Sequence, residues 1–464
     1  MLKKSIFLLC LLLSLFISFN SAAQENFTGL PEVTGQFKEY TAKQGEDLYL
    51  ISKKYGLAIE HVMYANGMND IKTHVGQKLL IPTRRILPPV QVSSGIVLNL
   101  PERGMFFFKD GKFDKFYPVA IGAPGKFMTP TGDMKVVNMA VNPTWLPPEW
   151  AKEEDPVPAG PDNPLGDRWI GLNEPGLGIH ATNRPVSVGL AVSHGCLRMY
   201  PEMAHELYEK VYIDMPVKII YEPVILGFDP AQGKIYMAVY PDVYKKTPGL
   251  LPQAKIKLAE NNMLDFADEA KLKKITDEKK GIPELIIGSD IVIKVNDKKQ
   301  DLWLSPISNN GKVWVSGDLL KALGANITFN ESNTIMSIQR GKRKISLKIK
   351  KTSEFDDKKK ESTAKAYLWQ GRAIIPLSYV LKGIGVSFKW LPEHRTLLIY
   401  VSRRLPAAGK KHPGGSIKKT AIKPVRIVSS PSPTPFLPFA PIPTPSSEVP
   451  TEPTPLPSEL PDEV

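Results

Sequence analysis

The amino-acid sequence predicts a multidomain protein with four parts: a small βααβ module, a mainly-β domain with one packed helix, an α+β domain with an internal repeat, and a disordered Pro-rich tail. Three observations predict this class. The length of 464 residues allows about three domains at ~150 residues each. Short apolar runs typical of strands dominate the middle of the chain, where helical spacing is rare. The 43 prolines crowd the C-terminal end, where no core can form from such a composition.

The overall composition is that of a folded protein with a basic surface. Hydrophobic residues make up 42% of the chain, which excludes a polytopic membrane protein and wholesale disorder. The 60 Lys and Arg against 47 Asp and Glu give a net charge of +13, which suits a polyanionic neighbour such as a membrane surface, nucleic acid or a cell-wall polymer. We expect anionic wall polymers and no nucleic acid, because the chain carries no nucleic-acid recognition motif.

The first 23 residues read as a secretory signal. Lys3 and Lys4 precede an apolar run, and small residues at Ser21–Ala23 follow it, which is the pattern of a cleavable export segment. The chain would contact a membrane only if this segment is retained. Its removal takes Cys10 with it and leaves Cys196 as the single cysteine. A lone thiol in an oxidising compartment is either buried and inert or present for chemistry.

Residues 40–83 form the predicted βααβ module. Leu48, Ile51 and Tyr55 recur at helical spacing, a second short helix follows, and a strand closes the unit. The module resembles a LysM domain in four motifs: Tyr40-Thr41, Gly45-Glu46-Asp47-Leu48, Ala65-Asn66-Gly67 and Gly76-Gln77-Lys78-Leu79. This resemblance implies binding to glycans that contain N-acetylglucosamine, such as the glycan strands of peptidoglycan.

Residues 92–222 are predicted to be a mainly-β domain. Several short apolar runs are separated by turn signals such as Lys109-Asp110-Gly111-Lys112, which indicates a hairpin. One helix is predicted after Pro201, because the apolar residues that follow share a helical face. Residues 223–284 are interpreted as an extension of this domain, with a hairpin and a helical connector.

Residues 285–402 contain a near-repeat in which each half reads strand, helix, strand, strand. The halves are marked by Gly311–Val315 with the helical run 319–324, and by Gly371–Pro376 with the helical run 379–385. This α+β unit resembles the copper amine oxidase N-terminal-like domain, a stalk or adhesion module that implies no copper. Residues 403–464 are basic and then rich in Pro, Ser and Thr, so we expect an extended tail.

The segment from Ser193 to Arg198 holds the lone mature cysteine. A thiol with an ordinary pKa of ~8.5 is mostly protonated at neutral pH, so Cys196 as a nucleophile needs a nearby base. His180 and His194 are both available in the sequence. Gly195 leaves the backbone free to direct amide N–H groups at an oxyanion, and Arg198 offers a fork for a substrate carboxylate.

These residues closely resemble the signature of the YkuD-type L,D-transpeptidases. The resemblance implies that Cys196 attacks the amide carbonyl of the third residue of a peptidoglycan stem tetrapeptide, and that terminal D-alanine leaves. His180 would accept and donate the proton. A side-chain amine of a second stem would then resolve the thioester into a cross-link between two third-position residues. The amide N–H groups of Gly195 and Cys196 are expected to form the oxyanion site. Five residues are expected to bind substrate: Ser193, His194, Gly195, Arg198 and Asn183.

The resemblance implies no cofactor and no metal, and it places the protein in the cell envelope, either the periplasm or the cell wall. One position departs from the family pattern, since Ala181 stands where a Gly is usual. If the backbone carbonyl at this position orients the imidazole, Ala can still supply it.

Other interpretations stay open from the sequence. Cys196 could be a buried, inert side chain, or His180, His194 and Cys196 could bind zinc. The protein could be a wall-binding scaffold with a weak catalytic domain. The same acyl-enzyme could also be resolved by water, as in an L,D-carboxypeptidase, or by a lysine of a lipoprotein.

Overall fold

The computed structural model describes residues 29–90, 92–309, 311–350 and 365–401. The predicted signal, residues 1–23, and the predicted tail, residues 403–464, lie outside the described residues. Within the described part, no helix is both long and apolar enough to cross a membrane.

The N-terminal module has the strand, helix, helix, strand order that the sequence predicts. Asp47 caps the first helix by accepting a hydrogen bond from the Leu50 amide, and Gly56 ends it in the left-handed conformation that favours glycine. Small apolar residues of both helices pack on the paired strands around Leu48 and Ile51, both fully buried. The elements are β1 (Val33–Thr34), β2 (Phe37–Thr41), α1 (Leu48–Tyr55), α2 (Ile59–Asn66), β3 (Lys78–Pro82) and β4 (Arg85–Ile86).

The module packs directly against the central domain. The Arg103 guanidinium lies 2.7 Å from the Glu60 carboxylate, and the Tyr200 hydroxyl donates to the carbonyl of Leu57. A Cβ on Gly189 would lie 2.5 Å from the Cβ of Ala58, so the two backbones approach closely. The module is therefore a docked unit and does not hang on a flexible linker.

The central domain is built on an eight-stranded sheet in the order β13-β11-β10-β9-β14-β5-β6-β7. Its hairpin at Asp110–Gly111 has both residues at positive φ, as a tight turn requires. One helix, α3, follows Pro201 as predicted. The elements are β5 (Gly95–Asn99), β6 (Gly104–Lys109), β7 (Lys112–Pro118), β8 (Ile121–Gly122), β9 (Gly132–Val141), β10 (Arg168–Leu172), β11 (Gly178–His180), β12 (Ala191–Ser193), β13 (Leu197–Arg198), α3 (Pro201–Tyr208) and β14 (Pro216–Ile220).

Residues 223–284 contain the predicted hairpin and two helices. The hairpin joins a third strand in a three-stranded sheet. Its apolar residues share one buried cluster with Tyr367, Trp369 and Ile374, so this segment packs on the C-terminal domain as well as following the central one. The elements are β15 (Val224–Asp229), β16 (Lys234–Val239), α4 (Leu250–Glu260), α5 (Glu269–Glu278) and β17 (Glu284–Ile287).

The C-terminal domain combines a seven-stranded and a four-stranded sheet. Both halves show the expected strand, helix, strand, strand order, while a repeat of one unit stays a prediction of the sequence. The elements are β18 (Val292–Val295), β19 (Lys298–Lys299), β20 (Ile307–Asn309), β21 (Lys312–Ser316), α6 (Leu319–Ala322), β22 (Asn326–Phe329), β23 (Ile335–Arg340), β24 (Arg343–Lys350), β25 (Lys365–Trp369), β26 (Arg372–Pro376), α7 (Leu377–Gly383), β27 (Ser387–Leu391) and β28 (Thr396–Tyr400).

Candidate functional site

The sheet edge formed by β11 and β13 brings the cysteine segment beside His180. The two strands run parallel, with Ile179 opposite Leu197 and His180 opposite Arg198. Ile179 and Leu197 are fully buried in the core of the domain. Because side chains alternate along a strand, His180 and Arg198 lie on the other face of the sheet. Cys196 directly precedes β13, and its sulfur contacts the backbone at Gly176 and Gly178, the segment that leads into the strand of His180.

His180 is a buried imidazole held in a fixed orientation. Its Nδ1 lies 2.5 Å from the carbonyl oxygen of Ala181, which can only accept, so Nδ1 carries the proton and Nε2 keeps its lone pair. The indole of Trp169, on β10, stacks on the ring at 5.9 Å between centroids. Burial lowers the pKa of His180 to about 4, and the charge of Arg198 contributes in the same direction. The ring is therefore neutral at neutral pH.

Ala181, where the family usually has Gly, supplies the carbonyl that orients this ring. Its side chain is fully buried and lies against Gly166, where a Cβ would come within 2.6 Å of the Ala181 Cβ. Gly166 has a φ of +60°, so its own lack of a side chain makes room for the methyl group.

Cys196 is half-buried and has no disulfide partner. Its thiol donates to the carbonyl of Gly176 at 3.1 Å, and not to the imidazole of His180. Burial raises the pKa of the Cys196 thiol, while a hydrogen bond from the Gly178 backbone and the charge of Arg198 lower it. The resting sulfur is thus a protonated thiol within a partly solvated cleft.

The Ser193 side chain forms two hydrogen bonds within the cysteine loop, residues 193–196. The Ser193 hydroxyl donates to the carbonyl of Cys196 and accepts the amide N–H of Gly195 at 3.1 Å. The Gly195 amide is thus bonded to Ser193 in this conformation, and its part in an oxyanion site stays a prediction of the sequence. The Cys196 amide donates to no residue in the described part of the chain. Ser193 itself is buried, so its hydroxyl shapes the loop and does not face a substrate.

The Thr129 side chain also holds the cysteine loop. Its Oγ1 donates to the carbonyl of Gly195 at 2.8 Å and accepts the amide of Gly122 at 2.9 Å. Gly122 lies on β8, which pairs with β12 just before the cysteine loop. A Cβ at Gly122 would lie 1.8 Å from the carbonyl oxygen of Phe127, so the loop that carries Thr129 requires glycine there.

The Arg198 guanidinium is close enough to the sulfur to act on it by its charge, and the Arg184 guanidinium acts in the same way on Arg198. Within the described residues, neither Arg184 nor Arg198 forms an ion pair. Burial lowers the pKa of Arg198, and the charge of Arg184 lowers it further. Such a pair of cations can hold the carboxylate of an incoming ligand in a bidentate contact.

An aromatic wall stands on the other side of the cysteine loop. The His194 ring stacks on Trp150 at 3.8 Å and meets the edge of Phe127 at 4.4 Å between centroids. Trp150 lies in the loop that Trp145 and Val157 close by exchanging two backbone hydrogen bonds. This aromatic wall could not be predicted from the sequence, because Phe127, Trp150 and His194 are far apart along the chain.

Asn163 and Asn183 organise the loops around the site. The fully buried Asn163 amide donates to the carbonyls of Pro143, Val157 and Pro158. Asn183, expected to bind substrate, is exposed and donates its side-chain amide to the carbonyl of Asp162. In this conformation it ties two loops together.

The zinc interpretation finds no donor set in the part of the chain that the structure describes. No group of three or more His, Cys, Asp or Glu residues there is close enough to hold a metal ion. His180 uses one ring nitrogen on a carbonyl, and His194 is stacked between two aromatic rings.

Three family models match the chain. The YkuD model, described as an L,D-transpeptidase catalytic domain, matches residues 93–219. The LysM domain matches residues 40–82, and the copper amine oxidase N-terminal domain matches residues 294–399. The three family resemblances seen in the sequence are confirmed by these matches.

Curated relatives carry the same catalytic domain. The chain is 33% identical over 221 residues to "Probable L,D-transpeptidase YbiS" of Escherichia coli K12, covering 45% of this chain and 71% of that protein. It is 31% identical over 258 residues to "Probable L,D-transpeptidase YcfS" of the same organism, covering 52% and 80%. It is also 31% identical over 171 residues to "Putative L,D-transpeptidase YkuD" of Bacillus licheniformis, covering 36% and 90%.

Proposed function

The chain belongs to the L,D-transpeptidase family, and from that premise we propose that it is an exported enzyme that cross-links peptidoglycan through a thioester on Cys196. The observation that carries the proposal is the place of the half-buried Cys196 directly before β13, which pairs with the strand that ends in the neutral His180 imidazole. The unpaired guanidinium of Arg198 beside them supports it, because stem peptides carry carboxylates.

The first step is attack of the sulfur on the amide carbonyl of the third stem residue. Because burial raises the pKa of Cys196 and lowers that of His180, the resting pair is a neutral thiol and a neutral imidazole. The proton therefore moves from Sγ to Nε2 of His180 as the carbon–sulfur bond forms, which is general-base catalysis. The Ala181 carbonyl holds the ring with Nε2 unprotonated and ready to accept.

The tetrahedral intermediate then collapses. Its oxyanion accepts a hydrogen bond from the Cys196 amide, a donor of a kind typically worth about 10²–10³ in rate. The carbon–nitrogen bond breaks, and Nε2–H of His180 donates its proton to the departing amine of D-alanine. The product of this half-reaction is a thioester between Cys196 and the tripeptide stem.

The second half-reaction transfers the acyl group. The side-chain amine of a third residue on a neighbouring stem attacks the thioester carbonyl, and His180 takes up its proton. The carbon–sulfur bond breaks and the thiol is restored by that same proton. Water in place of the amine gives hydrolysis, and a lipoprotein lysine gives protein attachment, so the nature of the acceptor is read from the product.

Recognition of the substrate is divided between two parts of the molecule. The guanidiniums of Arg184 and Arg198 are placed to hold a carboxylate of the stem, and the ring of His194 on Trp150 lines the cleft. The LysM domain contacts the glycan strand. Because the module is docked on the central domain, we propose that glycan and stem peptide are presented in a fixed relation. Export and residence in the cell envelope follow from this substrate.

The test is product analysis with purified protein and a disaccharide-tetrapeptide. The proposal expects release of D-alanine and formation of a dimer joined through third residues. Cys196→Ala should give neither product. Equal D-alanine release by wild type and Cys196→Ala would show that the cysteine is not the nucleophile. D-alanine release with tripeptide alone as product would make the enzyme a carboxypeptidase, and release that requires an added lysine-bearing lipoprotein would make it an attachment enzyme.

A further inference from the structure

The buried hydroxyl of Tyr244, a residue outside the sheet of the central domain, contacts the two residues that support the cysteine loop. Tyr244 lies between β16 and α4, and its ring is almost fully buried in the core of the central domain. Its hydroxyl donates to the carbonyl of Gly122 at 2.7 Å and accepts the amide N–H of Thr129 at 3.1 Å. The Thr129 side chain binds the Gly195 carbonyl, and the Gly122 amide binds that side chain.

The contacts form a continuous chain from Tyr244 to the nucleophile. Thr129 Oγ1 accepts the Gly122 amide and donates to the Gly195 carbonyl, and Gly195 immediately precedes Cys196. Removal of the phenol hydroxyl would leave a buried carbonyl on Gly122 and a buried amide on Thr129 without partners, an arrangement that folded proteins avoid. The backbone of both residues would then shift to find other partners or water.

Tyr244 is itself held in place by its own segment. Its backbone amide donates to the Tyr221 hydroxyl, the two rings stack at 5.7 Å between centroids, and Tyr221 in turn donates to Asp242. Asp242 also accepts the amides of Lys246 and Thr247. The phenol is therefore delivered by a rigid turn, which suits a group that fixes the geometry of another.

We propose that Tyr244 is a positioning residue for the acyl-transfer reaction, which acts through Thr129 and Gly122 to set the conformation of the Gly195-Cys196 backbone. It contacts neither the sulfur nor the substrate. The proposal rests on the proposed function for its kinetic readout, and it assigns the segment after the central sheet a part in the chemistry.

The first test is single-turnover acylation of the full chain by disaccharide-tetrapeptide. Tyr244→Phe keeps the ring and removes the hydroxyl, so the maximal rate should fall by about 10–100-fold, as small misplacements of reacting groups do. The substrate concentration for half-maximal rate should stay the same, because no substrate contact is lost. Tyr236→Phe is the matched control: it removes a hydroxyl that bonds Gln232 in the adjoining sheet, and its rate should stay within about twofold of wild type.

The second test asks whether Tyr244 and Thr129 act as one unit. Thr129→Val removes the hydroxyl at nearly constant volume and should slow acylation as much as Tyr244→Phe does. Thr129→Ser, which keeps the hydroxyl, should restore the wild-type rate. The double variant Tyr244→Phe/Thr129→Val should be no slower than the slower single variant, because both remove the same support. Multiplied effects in the double variant would overturn the proposal.

A third readout does not depend on the peptide substrate. The pH dependence of iodoacetamide alkylation at Cys196, assigned by peptide mapping, reports the environment of the thiol. In Tyr244→Phe the midpoint should move down towards the value of an ordinary thiol, because a relaxed loop admits water to a sulfur whose pKa burial raises. Tyr236→Phe should leave the midpoint unchanged.

The outcomes separate the two proposals. If wild type releases no D-alanine, the proposed function fails and the alkylation midpoints alone decide the role of Tyr244. If wild type is active and Tyr244→Phe matches it in rate, or if wild type and Tyr244→Phe share one alkylation midpoint, the positioning role is overturned while the enzyme stands.

Discussion

Burial shifts the pKa of titratable groups in two regions of the molecule, the cysteine site and the junction of the N-terminal module with the central domain, and the two regions differ in what surrounds these groups. At the junction of the N-terminal module with the central domain, four groups form the junction cluster: His61, Arg85, Glu102 and Tyr240. Burial lowers the pKa of His61 to about 3 and raises that of Glu102 to about 7. Arg85 lowers the pKa of Glu102 by its charge, and Tyr240 does so through a hydrogen bond.

In the junction cluster, the titratable groups act on one another: the charge of Arg85 acts on both His61 and Glu102. Its members line a cavity of about 10 Å³, room for one water molecule, and the Arg85 guanidinium lies over the ring of Phe116 at 3.4 Å. The cysteine site has equally perturbed groups, yet its thiol is half-exposed and Arg198 has no carboxylate partner within the described residues. Burial with a shifted pKa therefore does not by itself mark a catalytic site. The half-buried thiol and the lack, within the described residues, of a carboxylate partner for Arg198 distinguish the cysteine site from the junction cluster and support the role proposed for Cys196.

The largest expected effect concerns the two buried histidines. His180→Gln should slow acylation by about 10²–10⁴-fold, the range for loss of a general base, whereas His61→Gln should stay within about threefold of wild type. In both residues burial lowers the pKa, so the pair controls for a lowered pKa. The measurement is the single-turnover rate at neutral pH. If both variants slowed acylation equally, the cysteine site and the junction cluster would not differ in their part in the reaction.

The two arginines sharpen the comparison next. Arg198→Gln should raise the substrate concentration for half-maximal rate by about 10–100-fold, the loss of charge-assisted hydrogen bonds, with the melting temperature unchanged. Arg198→Lys should recover part of this, because the charge stays and the fork is lost. Arg103→Gln, which removes the partner of Glu60, should do the reverse and lower stability by about 1–3 kcal/mol with unaltered kinetics. A loss of stability in Arg198→Gln would mean that Arg198 serves the fold.

The pH dependence of stability isolates Glu102. Its pKa rises from 4.5 to about 7 on folding, so between these values the folded state holds a proton that the unfolded chain has lost, and wild-type stability falls as pH rises through this window. Glu102→Gln cannot titrate. Its melting temperature relative to wild type should therefore increase between about pH 5 and pH 8, on the order of 5 °C, with acylation unchanged. A difference that is constant with pH would contradict this assignment.

The smallest effect is expected where the module meets the central domain at the surface. Lys53 and Glu202 lie 2.5 Å apart, with 30% and 62% of their side chains exposed, so the pair contributes only about 0.2–1 kcal/mol. Glu202→Gln should lower stability by this amount at low salt and by less at high salt. A change of several kcal/mol would show that docking of the module depends on this pair and not on the buried contacts.

Local signals in the sequence predict much of the fold. The Asp110–Gly111 turn and the helix that begins at Pro201 depend on a few neighbouring residues, and the structure has both. The docking of the module could not be predicted, because periodicity shows which face of an element is apolar but not which other element covers it. Glu60 and Arg103 form an ion pair that no spacing in the sequence indicates.

In the candidate site, too, the parts that depend on neighbouring residues could be predicted, and those that depend on long-range packing could not. The contiguous run from Ser193 to Arg198 could be recognised from the sequence. The hydrogen bond between the Gly195 amide and Ser193 also had a local signal, since a Ser two residues before an amide commonly forms this turn. Trp150 and Tyr244 left no comparable signal, because the chain brings them to the cysteine loop only through long-range packing.

The most direct measurement is the mass of the intact protein after mixing with disaccharide-tetrapeptide, followed by peptide mapping of the adduct. We expect an added mass equal to the substrate less D-alanine, attached at Cys196 and absent in Cys196→Ala. An adduct on another side chain, or D-alanine release with no covalent species on a timescale that resolves turnover, would contradict it.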